Sequence, residues 1–257
     1  MAILFDDIVF GPVKSRRFGV SLGINLLPTT YKYCTFNCIY CECGWTNDQD
    51  SEKIKLSSRK EIRERMDEKF AELLEKGIIP DNITYAGNGE PTIHPEFSGV
   101  IDDTIEMRDK YFPNAQITVL SNATLLHKPE IYKALQKIEN NVLKLDAGFE
   151  ETYQLVNKPM GNLDMQSIID KLKSFNGNLI VQSLFLRGKH EGRIVDNSTP
   201  AELEAWLGYI KEIQPKSVMI YSIERDTPEQ DLEKLSNEEL NHIAKLVNDA
   251  GIETDVY

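Results

Sequence analysis

Apolar residues recur along this chain in two alternating patterns: short continuous runs, and stretches spaced three and four apart. The first run, residues 19–27 (Gly-Val-Ser-Leu-Gly-Ile-Asn-Leu-Leu), reads as a buried strand stopped by Pro28. Further runs predict strands over 82–86, 116–120, 142–146, 178–185 and 217–221. Helical spacings lie between them. Ile62, Met66, Phe70, Leu73 and Leu74 share one face of a helix that Ser58-Arg59-Lys60-Glu61 opens as a capping box and Gly77 ends. Phe97, Val100, Ile101, Thr104 and Ile105 mark a second helix, and a third begins near Pro129 with Ile131, Ala134, Leu135 and Ile138. Met165, Ile168, Ile169 and Leu172 mark a fourth. Thr199-Pro200-Ala201-Glu202 caps a fifth carrying Leu203, Trp206, Leu207 and Ile210. Ser236-Asn237-Glu238-Glu239 caps the last, with Leu240, Ile243 and Val247.

Six strand–helix units without a composition break predict one α/β domain over 1–257, with 1–18 as a lead-in and the units over 19–250. Repeated βαβ units imply parallel strands joined by right-handed crossovers. They form either an open doubly wound sheet or a curved, incomplete barrel, and periodicity leaves both open. Either architecture gathers its chemistry at the carboxyl ends of the strands. Cys34 to Cys41 follow the first strand, Gly87-Asn88-Gly89-Glu90-Pro91 the second and Ser121-Asn122-Ala123-Thr124 the third. Asp146-Ala147-Gly148 ends the fourth, Gln182 and Arg187 bracket the end of the fifth, and Tyr221-Ser222-Ile223-Glu224 ends the sixth. A polar stretch, Thr46 to Lys55, follows the cysteine loop.

Composition adds boundaries to this picture. A chain of 257 residues, 41% hydrophobic and 27% charged, has the balance of a globular protein with ample core. No apolar run approaches a membrane span, and Met1 to Phe10, with Asp6 and Asp7, lacks the basic start of a secretory signal. All four cysteines lie between Cys34 and Cys43, so they cannot staple the fold, and a reducing cytoplasm is the expected setting. The net charge of -12, from 41 acidic and 29 basic residues, opposes non-specific attraction to nucleic acid. Lys14-Ser15-Arg16-Arg17 is the best basic cluster and reads as a solvated turn.

Cys34, Cys38 and Cys41 follow a C-x3-C-x2-C spacing. Thiolates this close together can surround one soft metal centre. Three of them on a four-iron cube leave one iron open to a small molecule. Zinc sites usually need four Cys or His ligands in paired half-sites, and His94, His127, His190 and His242 are scattered. Cys43 would form a tight Cys-x-Cys chelate with Cys41 and reads as a bystander. With Tyr40 just before the last cysteine, the stretch resembles the signature of the radical SAM superfamily. Gly87-Asn88-Gly89-Glu90-Pro91 is similar to that family's GGEP segment, with Asn88 either in place of a glycine or as a one-residue insertion. The resemblance implies an incomplete (β/α)6 barrel and a [4Fe-4S] cluster on Cys34, Cys38 and Cys41. The cluster's fourth iron would bind the amino and carboxylate groups of S-adenosylmethionine. Its reduced form would cleave that cofactor to a 5′-deoxyadenosyl radical, which abstracts hydrogen from a substrate. Tyr40, Gly87, Asn88, Gly89, Glu90, Ser121, Asn122 and Asp146 are then candidate cofactor contacts, Glu90 as acceptor for the ammonium group. Gln182, Arg187 and Tyr221 are further candidates for the same mouth.

Within the superfamily, three sets of segments look like the branch containing the tRNA wyosine-base synthases. These are Phe10-Gly11-Pro12-Val13 with Ser15-Arg16-Arg17, Lys144-Leu145-Asp146-Ala147, and Ile220-Tyr221-Ser222-Ile223 with Thr227-Pro228-Glu229. Those enzymes carry a further cluster on upstream cysteines, and this sequence has none before Cys34. A glycyl-radical activase, working on a partner protein, is a second reading of the same class. A structural zinc protein or electron carrier is a reading of a different class. The resemblance also implies a flavodoxin- or ferredoxin-like electron donor, for which Lys14, Arg16 and Arg17 offer a docking patch. The substrate, small molecule or macromolecule, is not named by the sequence. Metal analysis separates the classes: iron with acid-labile sulfide is expected, and one zinc with no sulfide would reject radical chemistry.

Overall fold

The computed structural model of the protein describes residues 3–46, 55–161 and 163–257, so most of the polar stretch at 46–55 lies outside the described residues. The six strands expected from apolar runs form at β2 (Gly19–Ile24), β3 (Asn82–Tyr85), β4 (Gln116–Ser121), β5 (Asn140–Lys144), β6 (Ile180–Leu184) and β9 (Ser217–Tyr221). All six pair in parallel, in chain order. Two edges extend the sheet. β1 (Val9–Ser15), inside the expected lead-in, runs antiparallel to β2, and β11 (Glu253–Val256) runs parallel to β9. The order is therefore β1-β2-β3-β4-β5-β6-β9-β11, without the reversal that defines a doubly wound sheet.

The connecting helices are α1 (Arg59–Glu75), α2 (Phe97–Tyr111), α3 (Pro129–Leu135), α4 (Glu150–Asn157), α5 (Met165–Lys173), α6 (Pro200–Ile213) and α7 (Asn237–Asp249). Ser58, Thr199 and Ser236 each accept from the backbone three residues on, and only Ser236 has the reciprocal carboxylate, Glu239. Glu202 turns away from its cap to receive Gly148 N at 2.7 Å and the Thr152 hydroxyl, tying α6 to the end of β5. Between β6 and α6 the chain makes β7 (Leu186–His190) and β8 (Arg193–Asp196), which with β10 (Leu232–Lys234) form a small antiparallel sheet.

A sheet whose right-handed crossovers never reverse carries its helices on one face and curls around the other. Leu143, Val181, Val218 and Ile220 point outward into the core shared with the helices. Val142, Ile180 and Met219 point inward and pack with Leu120, Phe18 and Tyr257. Parallel register stacks the inward residues, Lys144 beside Gln182 beside Met219, with Leu184 beside Tyr221 nearer the carboxyl ends. The curl brings the two sheet edges within side-chain reach. The Arg17 guanidinium, in the β1–β2 turn, lies 4.7 Å from the Tyr221 ring centroid, and Arg16 reaches Glu224 at 3.6 Å. Because β1 and β11 do not pair, the result is an open, incomplete barrel.

The cysteine loop has no regular structure and is held by its neighbours. Tyr33 N donates to Asn88 O at 2.8 Å and Glu90 N donates to Tyr33 O at 3.1 Å, a parallel bridge centred on Gly89. A Cβ on Gly89, whose φ is +142°, would stand 1.8 Å from the Tyr33 carbonyl oxygen. On its other side the loop pairs with the end of α4: Ile39 N reaches Val156 O at 3.0 Å, and Met160 N reaches Thr35 O at 2.8 Å. Gly89→Ala is expected to force these loops apart at a cost of about 1–3 kcal/mol. A melting temperature equal to that of the unsubstituted protein would contradict this account.

Candidate functional site

Inside the curl, at the carboxyl ends of the parallel strands, lies a cavity of about 860 Å³, large enough for a cofactor with room beside it. Cys34, Cys38 and Cys41 line it, as do Tyr40, Gly87, Gly89, Glu90, Ser121 and Asn122. Gln182 and Tyr221 also line it, whereas Arg187, on β7, is ion-paired with Glu239 and does not. Two candidates stand behind the wall. The Asn88 side chain bonds Phe5 N, Phe5 O and Pro28 O, each at 2.8 Å, so it fastens the N-terminal segment under the β3 loop. Asp146 receives Leu184 N at 2.9 Å, Asn157 Nδ2 at 2.8 Å and the Tyr40 hydroxyl, and it supports Tyr40 from beneath.

The thiols sit among cations and amide donors. Burial pushes the Cys34 thiol up to about 12 and raises Cys38 as well. Cys41 moves the other way, to about 5, because Cys43 donates toward it and Lys32 lies beside it. Cys43 also lies 3.4 Å from Gly87 O; a single S–H serves one acceptor at a time, and either role leaves Cys43 a thiol. Asn122 Nδ2 approaches Cys34 Sγ at 3.6 Å, Asn157 Nδ2 approaches Cys38 Sγ at 3.6 Å, and Phe36 N lies 3.4 Å from Cys34 Sγ. Among the described residues, no three His, Cys, Asp or Glu side chains are grouped tightly enough for a single ion. Three thiols spread along one cavity wall, with N–H donors aimed at two of the sulfurs, suit a cysteine-held iron–sulfur cluster.

Glu90 joins the second and third strand ends. Its Oε1 accepts from Thr92 N at 3.1 Å, from the Thr92 hydroxyl and from Ser121 Oγ at 2.8 Å, and its Oε2 accepts from Asn122 N at 2.6 Å. Burial still holds the carboxyl above the ordinary glutamate value despite these donors. Among the described residues no cation pairs with it, so a buried carboxylate lines the cavity with an acceptor site open on Oε2. A ligand ammonium group would complete it.

Comparison with known proteins settles the family. Residues 29–196 match the sequence model of the radical SAM superfamily. The chain belongs to that superfamily. A UPF0026 protein of Helicobacter pylori (strain J99) is 30% identical over 240 residues, covering 91% of this chain and 71% of that protein. A protein of Brachyspira hyodysenteriae named GTPase Obg is 29% identical over 253 residues, covering 96% of this chain. The chain spans only 35% of that relative's length. Among solved structures, a radical SAM methyltransferase from Sphaerobacter thermophilus superposes with a TM-score of 0.66 at 15% identity, over 92% of this chain and 65% of that one. TYW1 with a lysine-pyruvate adduct bound gives 0.61 at 18% identity, over 89% and 73%. At these identities the structural likeness is one of fold. Radical SAM proteins are enzymes that use a [4Fe-4S] cluster and S-adenosylmethionine and take their electrons from a donor.

The motifs read from the sequence do not account for three residues at this cavity. Lys32, 3% exposed, donates to Gly44 O at 3.0 Å and faces the cysteines. Burial works against its charge, yet Cys41, Cys38 and Cys34 outweigh that and hold its pKa above the ordinary lysine value. Lys144, partly buried, donates to Tyr40 Oη at 2.7 Å and pairs with Asp146 at 3.3 Å. Asn157 reaches the site from α4, a helix the apolar spacing does not announce. Position gave no signal for Lys32, because one lysine in a polar loop is indistinguishable from a surface residue. A unit charge at contact range is worth on the order of 1–4 kcal/mol. Lys32→Met is therefore expected to make the midpoint potential of the reconstituted centre more negative, with Lys32→Arg restoring part of the shift. Equal potentials in redox titrations of Lys32→Met and the unsubstituted protein would remove Lys32 from the site's electrostatics.

Proposed function

We propose that this chain is the catalytic core of a radical SAM enzyme in which Cys34, Cys38 and Cys41 hold the [4Fe-4S] cluster. The observation that carries this reading is the placement of those thiols and the uncompensated Glu90 carboxylate on one cavity wall. When bound, the cluster and S-adenosylmethionine supply one-electron cleavage of the sulfonium and, from it, hydrogen abstraction from a substrate. The chain's own residues do the rest. Glu90 would accept from the cofactor's ammonium, with Ser121 and Asn122 fixing the carboxylate. Gly87 and Gly89 keep that part of the wall free of side chains. Asn122 and Asn157 donate toward the sulfurs of Cys34 and Cys38, and Lys32 would offset the charge of the thiolates that hold the cluster. Tyr40, braced by Lys144 and Asp146, closes the loop side of the cavity. Burial of these groups excludes water from a reactive intermediate. A flavodoxin- or ferredoxin-like protein supplies the electron.

Anaerobic reconstitution tests the assignment. Alanine at Cys34, Cys38 or Cys41 is expected to remove the cluster's charge-transfer absorbance, and alanine at Cys43 to leave it. The intact protein with dithionite is expected to release 5′-deoxyadenosine and methionine. Full iron content in any of the three cysteine variants would sink the ligand assignment.

A further inference from the structure

Six lysines and arginines line the cavity against three glutamates, although the chain carries a net charge of -12. Four of these cations are answered nearby. Lys32 faces the thiols, Lys144 pairs with Asp146, Arg16 lies 3.6 Å from Glu224, and Arg225 lies 2.7 Å from Glu42. Lys14 and Arg17 have no carboxylate within ion-pair distance among the described residues. Lys14 lies near the end of β1 and Arg17 lies in the β1–β2 turn, which the curl brings beside Tyr221 at the end of β9; β4, β5 and β6 separate that strand from the Glu90 strand end.

Arg17 is built into this flank rather than left in a solvated turn. Its guanidinium lies 4.7 Å from the Tyr221 ring centroid and 5.8 Å from that of Tyr257. The turn itself is fixed by Ser15 Oγ, which accepts from Arg17 N and Phe18 N at 3.1 Å each, while Phe18 packs on the inward cluster below. A guanidinium held over aromatic rings keeps its in-plane N–H donors for another acceptor, and two parallel N–H groups match a carboxylate or a phosphate.

We propose that Arg17, with Lys14, binds the anionic group, a phosphate or a carboxylate, of a small-molecule substrate. The proposal rests on the function assigned above, since it supplies that site's second occupant. It also revises the expected docking patch: Lys14, Arg16 and Arg17 line the cavity. A nucleic-acid backbone would need a track of cations running beyond the cavity, which the overall negative charge opposes.

The test uses the anaerobically reconstituted holoenzyme with S-adenosylmethionine present and reads binding rather than turnover. Pyrophosphate is titrated by phosphorus NMR line broadening, and citrate by competition against it, so the two oxyanions are distinguished. Salt-sensitive binding of either is expected, weakened about tenfold in Arg17→Gln and severalfold in the exposed Lys14→Gln, and partly kept in Arg17→Lys. Lys14→Gln carries the test should Arg17→Gln fail to fold. Equal affinity in the variants and the unsubstituted protein would overturn the proposal. So would a loss of S-adenosylmethionine affinity in Arg17→Gln, which would give Arg17 to the cofactor's own carboxylate. Binding confined to tRNA would overturn it in favour of a nucleic-acid substrate. Oxyanion binding without any release of 5′-deoxyadenosine under dithionite would uphold the anion site and count against the radical function instead.

Discussion

The backbone pairing of Tyr33 with the turn at Gly89 is the contact on which the site depends. A loop carrying three thiols cannot define its own shape, because it lacks both regular hydrogen bonding and a continuous apolar face. Here the β3 turn and the end of α4 supply those hydrogen bonds from either side. The glycine is needed because the two backbones meet closer than any side chain allows. Asn88, between the two glycines of the turn, fastens the N-terminal segment beneath it. The motif at the second strand thus shapes the cysteine loop as well as lining the cavity.

Charge is arranged around that frame by element. Lys32 answers the thiols from within the loop, Lys144 and Asp146 answer each other at the end of β5, and Arg16 meets Glu224 across the open edge of the barrel. Of the groups lining the cavity, Glu90 is a buried carboxylate without a cation, and Arg17 and Lys14 are cations without a carboxylate among the described residues. Uncompensated charge in a partly desolvated cavity is costly unless a ligand completes it. The cavity therefore asks for opposite partners, an ammonium group at Glu90 and an oxyanion at Arg17 and Lys14.

The parallel strands were legible in the sequence because each is a continuous apolar run, buried on both faces. β11 was not, since Glu253-Thr254-Asp255-Val256 is an exposed edge with only weak alternation. β7, β8 and β10 are short and polar, and α4 spans eight residues, too few for a helical period to stand out. The grouping of three thiols on one loop could be read from spacing alone, as local chemistry, and all three line the cavity. The destinations of Asn88 and Asp146 could not, because their partners Phe5 and Leu184 lie 83 and 38 residues away. The basic turn looked solvated for the same reason: its aromatic partner Tyr221 is brought near only by the curl of the sheet.

In the proposed function three thiols of the cysteine loop hold a four-iron cluster with one iron left for S-adenosylmethionine. Mössbauer spectroscopy of iron-57-reconstituted protein tests it most directly, before and after addition of the cofactor. One iron of four is expected to change its isomer shift and quadrupole splitting on cofactor binding while the other three do not. Four irons that ignore the cofactor, or a centre that accepts zinc and no sulfide, would contradict it.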